Sequence, residues 1–208
     1  MTNRHVTIVD YGMGNLLSIA NAFGALGCDT RISSDPRVIL NSEALVLPGV
    51  GSFRKAVSSL KASGLDLALS DAVIGRRRKI LGICLGMQLM GLRSSEDGNS
   101  EGLHFIDREV GRFDIAEIGA NKVPHVGFNS VRRDANSLLL KNLPSLADFY
   151  FVHSYRMLPG DIVGVQSSCN YGVNFLAAFE SENIFATQFH PEKSQANGLV
   201  LLNNFLMC

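Results

Sequence analysis

The sequence predicts an α/β fold in which a mostly parallel central sheet is flanked by helices and continues into an antiparallel C-terminal extension. In the first ninety residues, short β-branched runs alternate with helix-patterned segments, which is typical of a parallel sheet covered by helices. The runs "ALVL" (44–47) and "ILGI" (80–83) are continuously apolar apart from one glycine, as expected of strands buried on both faces. After about Leu103, short strand-like runs broken by Gly, Pro and Asn indicate the antiparallel extension.

The elements of the first half follow in order along the chain. Glycines at 27 and 64 are expected to end the two helices. The predicted order is strand 5–12, helix 15–27, strand 43–49, helix 52–64 and strand 79–83.

The second half is predicted to consist of strands and one C-terminal helix. The strand-like runs are 106–115, 125–131, 149–157, 162–168, 175–181 and 184–190. The final helix is expected from about Gln195 to Met207. Because no linker, repeat or low-complexity tract interrupts the chain, residues 1–208 are predicted to form a single domain.

Composition excludes several classes of function. The chain has 19 Lys plus Arg against 19 Asp plus Glu, and its one dense basic run, 75–79, is short. Neither nucleic acid nor a membrane surface is therefore an expected partner. The N-terminus does not resemble a signal peptide, and no apolar run approaches the roughly 18 residues of a membrane span, so a cytoplasmic protein is expected. The four cysteines show no CxxC pairing and are expected to be reduced.

One of these cysteines stands in an unusual segment, "KILGICLGMQLMG" (79–91). A buried strand must end and a helix begin at Cys84, and the flanking Gly82 and Gly86 permit a sharp turn. This is the pattern of a nucleophile elbow, in which helix amides favour a thiolate and can bind an oxyanion. A buried structural cysteine is the alternative interpretation.

A cysteine nucleophile needs a base, and "FATQFHPEKS" (185–194) offers one. Pro191 stops the strand beside His190. Because residues two apart on an extended backbone point the same way, Glu192 is expected to face His190 and fix its tautomer. In "LPGVGSF" (47–53), backbone amides after another buried strand are candidates for a second oxyanion donor, although a plain tight turn explains the glycines nearly as well.

Together, "PGVGSF", "GICLGMQLMG" and "FATQFHPEKS" resemble the class I glutamine amidotransferases over essentially the whole chain. The resemblance implies a Cys84, His190 and Glu192 triad that hydrolyses glutamine through a glutamyl thioester, without metal or cofactor. It implies further oxyanion and glutamine-binding residues, which are Gly51, Leu85, Gln88, Glu96, His153, Ser154 and Tyr155. For Gln88 a helix-capping or surface role is the alternative, and for Glu96 a solvated loop charge.

The segments "KVPHVGFN" (122–129) and "FVHSYR" (151–156) are most similar to glutaminase subunits of imidazole glycerol phosphate synthase. That subgroup passes ammonia to a separate synthase (cyclase) subunit with a (β/α)8 barrel, so a heterodimer is implied. The residues that fall at the implied partner interface are Asn15, Pro124, Val126, Phe128 and Lys193.

Three hypotheses follow for the function. The first is the glutaminase subunit of histidine biosynthesis, with a sugar-amidating synthase as the alternative acceptor, because Val126 and Phe128 replace the methionine and tryptophan of many relatives. The second is a stand-alone cysteine hydrolase, against which the glutamine-contact residues argue. The third is a non-catalytic relative, against which the retained triad argues.

Overall fold

The computed structural model describes residues 4–208. The strands are β1 His5–Val9, β2 Asp29–Ser33, β3 Ala44–Leu47, β4 Lys79–Ile83, β5 Arg93–Ser94, β6 Ser100–Glu101, β7 Val110–Arg112, β8 His125–Arg132, β9 Leu146–His153, β10 Tyr155–Met157, β11 Val165–Tyr171, β12 Val173–Ser181 and β13 Ile184–Thr187. The helices are α1 Leu16–Ala25, α2 Pro36–Asn41, α3 Phe53–Ala62, α4 Leu65–Ser70, α5 Leu85–Leu89, α6 Ile115–Ile118 and α7 Gln195–Met207, with a π-helical turn at Asp71–Gly75 and a 3₁₀ turn at Pro191–Lys193.

A nine-stranded sheet in the order β2-β1-β3-β4-β13-β12-β11-β8-β9 forms the centre of the molecule. The strands from β2 to β13 run parallel. The strands from β13 to β9 pair antiparallel. The predicted α/β class with an antiparallel extension is therefore confirmed, and the α7 bounds match the prediction.

Several predicted strands differ in their bounds or pairing; the run 162–168, for example, corresponds to β11 at Val165–Tyr171. The run 149–157 breaks at Ser154 into β9 of the large sheet and β10 of a second, four-stranded sheet, because β9 pairs with β8 while β10 pairs with β7. The run 106–115 is reduced to β7. The run 184–190 ends early, at Thr187. It was expected in the antiparallel extension, but on one side it pairs with β4 in parallel. Strand β2 was not predicted from the sequence, because it is a largely exposed edge strand with no apolar alternation.

Apolar clusters cover both faces of the sheet, since alternate strand residues point to opposite sides. One cluster includes Phe23, Phe149 and Phe205, and the other includes Phe53 and Leu69. No helix within residues 4–208 is long and apolar enough to cross a membrane.

The central parallel pair β4 and β13 positions the candidate site. Because the two strands run side by side in the same direction, their carboxyl ends lie at one edge of the sheet. Cys84 directly follows the last residue of β4, and His190 lies three residues after the end of β13. Two segments that are far apart in sequence are therefore brought together at a place where open α/β sheets commonly bind ligands.

Candidate active site

Cys84 occupies a strained turn between β4 and α5. Its backbone dihedrals are φ 54° and ψ −108°, a combination that residues with a side chain rarely adopt. A Cβ added at Gly86 would lie 1.8 Å from the carbonyl oxygen of Leu47, so the start of α5 packs directly against the end of β3. The turn therefore has the sharp, closely packed geometry expected of a nucleophile elbow.

His190 and Glu192 form a buried pair beside this turn. The Nδ1 atom of His190 lies 2.8 Å from Oε1 of Glu192, and the two side chains are 2% and 1% exposed. Glu192 lies in the 3₁₀ turn that begins at Pro191, so the extended geometry assumed from the sequence is wrong although the pairing forms. The His190 backbone is also held, because its N–H donates to the Tyr150 carbonyl at 2.9 Å.

The protonation of His190 reflects this environment. Burial by itself lowers the pKa of His190, but interactions with the Cys84 sulfur and the Glu192 carboxylate outweigh it and raise the pKa to about 9. Nε2 of His190 is buried and makes no well-aligned hydrogen bond in the resting site, yet Cys84 is close enough to act on its charge. The site therefore favours an imidazolium beside the sulfur.

A pH dependence of stability follows from this shift. The pKa of about 9 exceeds the value of 6.5 for an unperturbed histidine, so the folded state retains a proton that the unfolded chain releases between those values. The contribution of His190 to stability is complete below about pH 6.5 and is lost as the pH rises to about 9. Urea unfolding is expected to show a larger loss of unfolding free energy in this range for the wild type than for His190→Gln; parallel losses would contradict this assignment.

A cavity of about 320 Å³ opens at Cys84. Its walls come from the turn after β3, from α5, from the loop after β5 and from the β9–β10 junction. The lining residues are Val50, Gly51, Cys84, Leu85, Gln88, Glu96, Pro124, Val152, His153, Ser154 and Tyr155. All seven predicted oxyanion and glutamine-binding residues are among them.

Comparison with known proteins then identifies the family. The family model described as "Glutamine amidotransferase class-I" matches residues 7–208. The chain belongs to the class I glutamine amidotransferase family. Its members are enzymes, and similar proteins include "Imidazole glycerol phosphate synthase subunit HisH 1" of Parasynechococcus marenigrum, 46% identical over 97% of this chain and 96% of that protein. "Imidazole glycerol phosphate synthase subunit HisH 2" of Pseudomonas aeruginosa is 40% identical over 97% of this chain and 98% of that protein.

Solved structures share the fold of this class I amidotransferase. A putative GMP synthase subunit from Thermoplasma acidophilum has a TM-score of 0.73 at 23% identity, and the match covers 100% of this chain and 94% of that one. PurLQS from Thermotoga maritima has a TM-score of 0.72 at 16% identity, with 99% of both chains covered. At these identities the likeness concerns the fold alone.

In this amidotransferase, two candidate glutamine-binding residues lie in environments that the sequence did not reveal. Glu96 is not a solvated loop charge, because its Oε2 accepts a hydrogen bond from the Phe53 backbone N–H at 2.9 Å, and burial raises its pKa. Gln88 is 4% exposed, which excludes the surface role considered for it.

Four of the five candidate interface residues lie around the outward face of β8 and β9. Val126 and Phe128 are 55% and 52% exposed, and Phe128 packs edge-on against Tyr150 with ring centroids 5.6 Å apart. The Nζ atom of Lys193 lies 5.8 Å from the centroid of the same Tyr150 ring. Pro124 precedes β8 at the cavity wall. We call this surface, formed by Pro124, Val126, Phe128, Tyr150, Val152 and Lys193, the β8–β9 face; Asn15 lies at the start of α1.

Gln188 contacts Cys84, the candidate nucleophile, and was not selected from the sequence. Its Nε2 lies 3.7 Å from Sγ of Cys84, and its side chain is fully buried. The available clue was its position two residues before His190 in a strand-like run, which places both side chains on one face.

Proposed function

We propose that this amidotransferase is the glutaminase subunit of an imidazole glycerol phosphate synthase in histidine biosynthesis, hydrolysing L-glutamine to glutamate and ammonia. The observation that carries the proposal is that one cavity is lined by Cys84 together with Gln88, Glu96 and His153. Relatives that bear the synthase subunit's name, at 40% to 46% identity over nearly their whole length, support it.

Acylation begins when the Cys84 sulfur attacks the side-chain amide carbon of glutamine. We assign the oxyanion of the tetrahedral intermediate to the backbone amides at Gly51 and Leu85, which both line the cavity with Cys84. The His190 imidazolium gives its Nε2 proton to the departing nitrogen, so that the C–N bond breaks and ammonia leaves a glutamyl thioester.

Deacylation reverses the proton transfer. Neutral His190 removes a proton from water, whose oxygen attacks the thioester carbon, and the C–S bond breaks to release glutamate and the Cys84 thiolate. Glu192 holds Nδ1–H of the imidazole throughout, which keeps Nε2 directed at the reacting groups.

The molecule that accepts the ammonia is bound by a partner chain. We infer that residues 1–208 form one glutaminase domain and that a HisF-like (β/α)8 barrel docks on the β8–β9 face in a heterodimer. The face suits this purpose because it is exposed, is largely apolar apart from Lys193, and adjoins the cavity through Val152 and Pro124. Ammonia released at Cys84 can then pass to the partner without entering bulk water.

The test is ammonia release by the chain alone and with its barrel subunit carrying bound ligand. We expect little glutamine hydrolysis alone and a stimulation of about tenfold or more with the barrel, within the range of allosteric couplings. The alternative acceptor is tested by repeating the assay with the barrel subunit of a sugar-amidating synthase. If only that subunit stimulated glutamine hydrolysis, the assignment to histidine biosynthesis would be overturned. Equal rates under all conditions would contradict the coupling, and rapid turnover of a γ-glutamyl peptide by the chain alone would favour a stand-alone hydrolase.

A further inference from the structure

We infer that Gln188 is a further catalytic residue of this glutaminase, whose side-chain amide donates a hydrogen bond to the Cys84 sulfur and stabilises the thiolate. The inference rests on the proposed function, but the contact itself does not. Nε2 of Gln188 lies 3.7 Å from Sγ, within the range of N–H to sulfur hydrogen bonds. The backbone of Gln188 is fixed because its N–H donates to the Ala177 carbonyl at 2.8 Å.

The direction of the Gln188 amide is fixed by its neighbours. The Tyr155 carbonyl oxygen can only accept, so the Gln88 atom 2.9 Å from it must be the donating Nε2. The same Nε2 lies 3.1 Å from the side-chain amide of Gln188, which must therefore present its oxygen to Gln88. The NH₂ group of Gln188 is left to face the sulfur.

Two buried histidines extend this array away from the cavity. Nδ1 of His153 lies 2.9 Å from the same Tyr155 carbonyl and must donate, so its Nε2 accepts from Nδ1–H of His125 at 3.1 Å. Nε2 of His125 in turn accepts from the Asn129 amide at 3.3 Å, and that amide also donates to the Asn170 carbonyl at 3.0 Å.

Both histidines are neutral in this arrangement. Burial lowers the pKa of His153 to about 3 and that of His125 to about 4. With neutral rings, one consistent set of tautomers satisfies each of these donors and acceptors, and both rings carry their proton on Nδ1. A fully satisfied buried array of this kind has a single orientation, which keeps the Gln188 donor directed at Sγ.

The donor matters at two points of the reaction. It stabilises the negative sulfur before attack on glutamine, and again when the thiolate leaves during deacylation. In the thioester the sulfur carries no charge, so the hydrogen bond is weaker there. Unlike His190, the amide cannot transfer its proton, and it therefore remains a donor at both points.

The variant Gln188→Met removes the donor while approximately conserving volume. It is best made in a Cys208→Ser background, since Cys208 is exposed; Cys28, Cys84 and Cys169 are buried, but Cys84 lines the cavity and is reached through it. Iodoacetamide alkylation of Cys84 is measured by mass spectrometry across pH. We expect the midpoint of the alkylation curve to rise by about one pH unit and kcat to fall about tenfold, as for loss of a hydrogen bond to a charged group. Gln166→Met, the same change at an exposed position, should leave both unchanged.

A folded Gln188→Met protein with an unchanged alkylation midpoint and an unchanged kcat would overturn the inference. A second measurement uses the native protein in case the variant does not fold. The chain has four glutamines, so selective ¹⁵N labelling of the glutamine side-chain amides gives four pairs of NMR signals, and Gln166→Met removes one pair to aid assignment. The Gln188 pair should shift as the Cys84 sulfur ionises, and its failure to move would refute the contact.

Long-range ¹H–¹⁵N spectra should show Nδ1–H tautomers for His125 and His153; Nε2–H tautomers would contradict the fixed direction of the array. These readouts do not require turnover. A wild-type protein with the expected alkylation and NMR behaviour but no glutamine hydrolysis even in the presence of the liganded barrel subunit would therefore refute the proposed function and leave the Gln188 contact standing.

Discussion

Replacing Cys84 with alanine is expected to lower glutamine hydrolysis by about 10⁴-fold or more, because no other group at the cavity can form the thioester. The fold and partner binding should persist, since the substitution removes one sulfur atom and leaves the packing of α5 on β3 in place. Ammonia release measures the activity, and co-purification with the barrel subunit measures binding.

Cys208→Ala is the matched control for Cys84→Ala, because it removes an exposed thiol outside the cavity. It should retain wild-type hydrolysis. Substantial glutamine turnover by Cys84→Ala would show that the elbow cysteine is not the nucleophile.

Replacing His190 with glutamine is expected to reduce kcat by roughly 10³-fold to 10⁴-fold, because the amide cannot donate a proton to the departing nitrogen or accept one from water. Glu192→Gln should have a smaller effect, since Nδ1 loses its carboxylate partner at 2.8 Å while the imidazole remains. Steady-state kinetics with glutamine should show the loss in kcat more than in KM.

His104 provides the control for the histidine change, since it is an exposed side chain paired with Glu101. His104→Gln should hydrolyse glutamine at the wild-type rate. If His190→Gln retained more than about a tenth of the wild-type kcat, the general acid and base would have to be another group.

The local sequence was sufficient to locate the centre of the candidate site. Glycines on both sides of Cys84 indicate a turn that needs close backbone approach, and the structure shows that approach at Gly86. The alternation of strands and helices indicates the parallel part of the sheet up to β4, but the run that contains β13 was expected in the antiparallel extension, and its parallel pairing with β4 is seen only in the structure. The turn at Cys84 could be predicted because turn chemistry is determined by a short stretch of chain.

The remaining features depend on contacts between distant segments. The strand break at Ser154 results from two different pairing partners, β8 and β7, which periodicity does not reveal. The direction of the Gln188 amide depends on a carbonyl at Tyr155 and on Gln88, 33 and 100 residues away in the chain. Such relations arise only when the sheet and the β9–β10 junction are assembled.

The two faces of strand β8 lie in different environments, one exposed and one buried. Val126 and Phe128 point outward on the β8–β9 face, while His125 and Asn129 point inward to the hydrogen-bonded array. Under the proposed function, substitutions at 126 and 128 therefore change the surface offered to the partner without altering the lining of the cavity at Cys84. A gene duplicate of this enzyme could acquire a new ammonia acceptor by drift on one side of a single strand, with its glutamine chemistry unchanged.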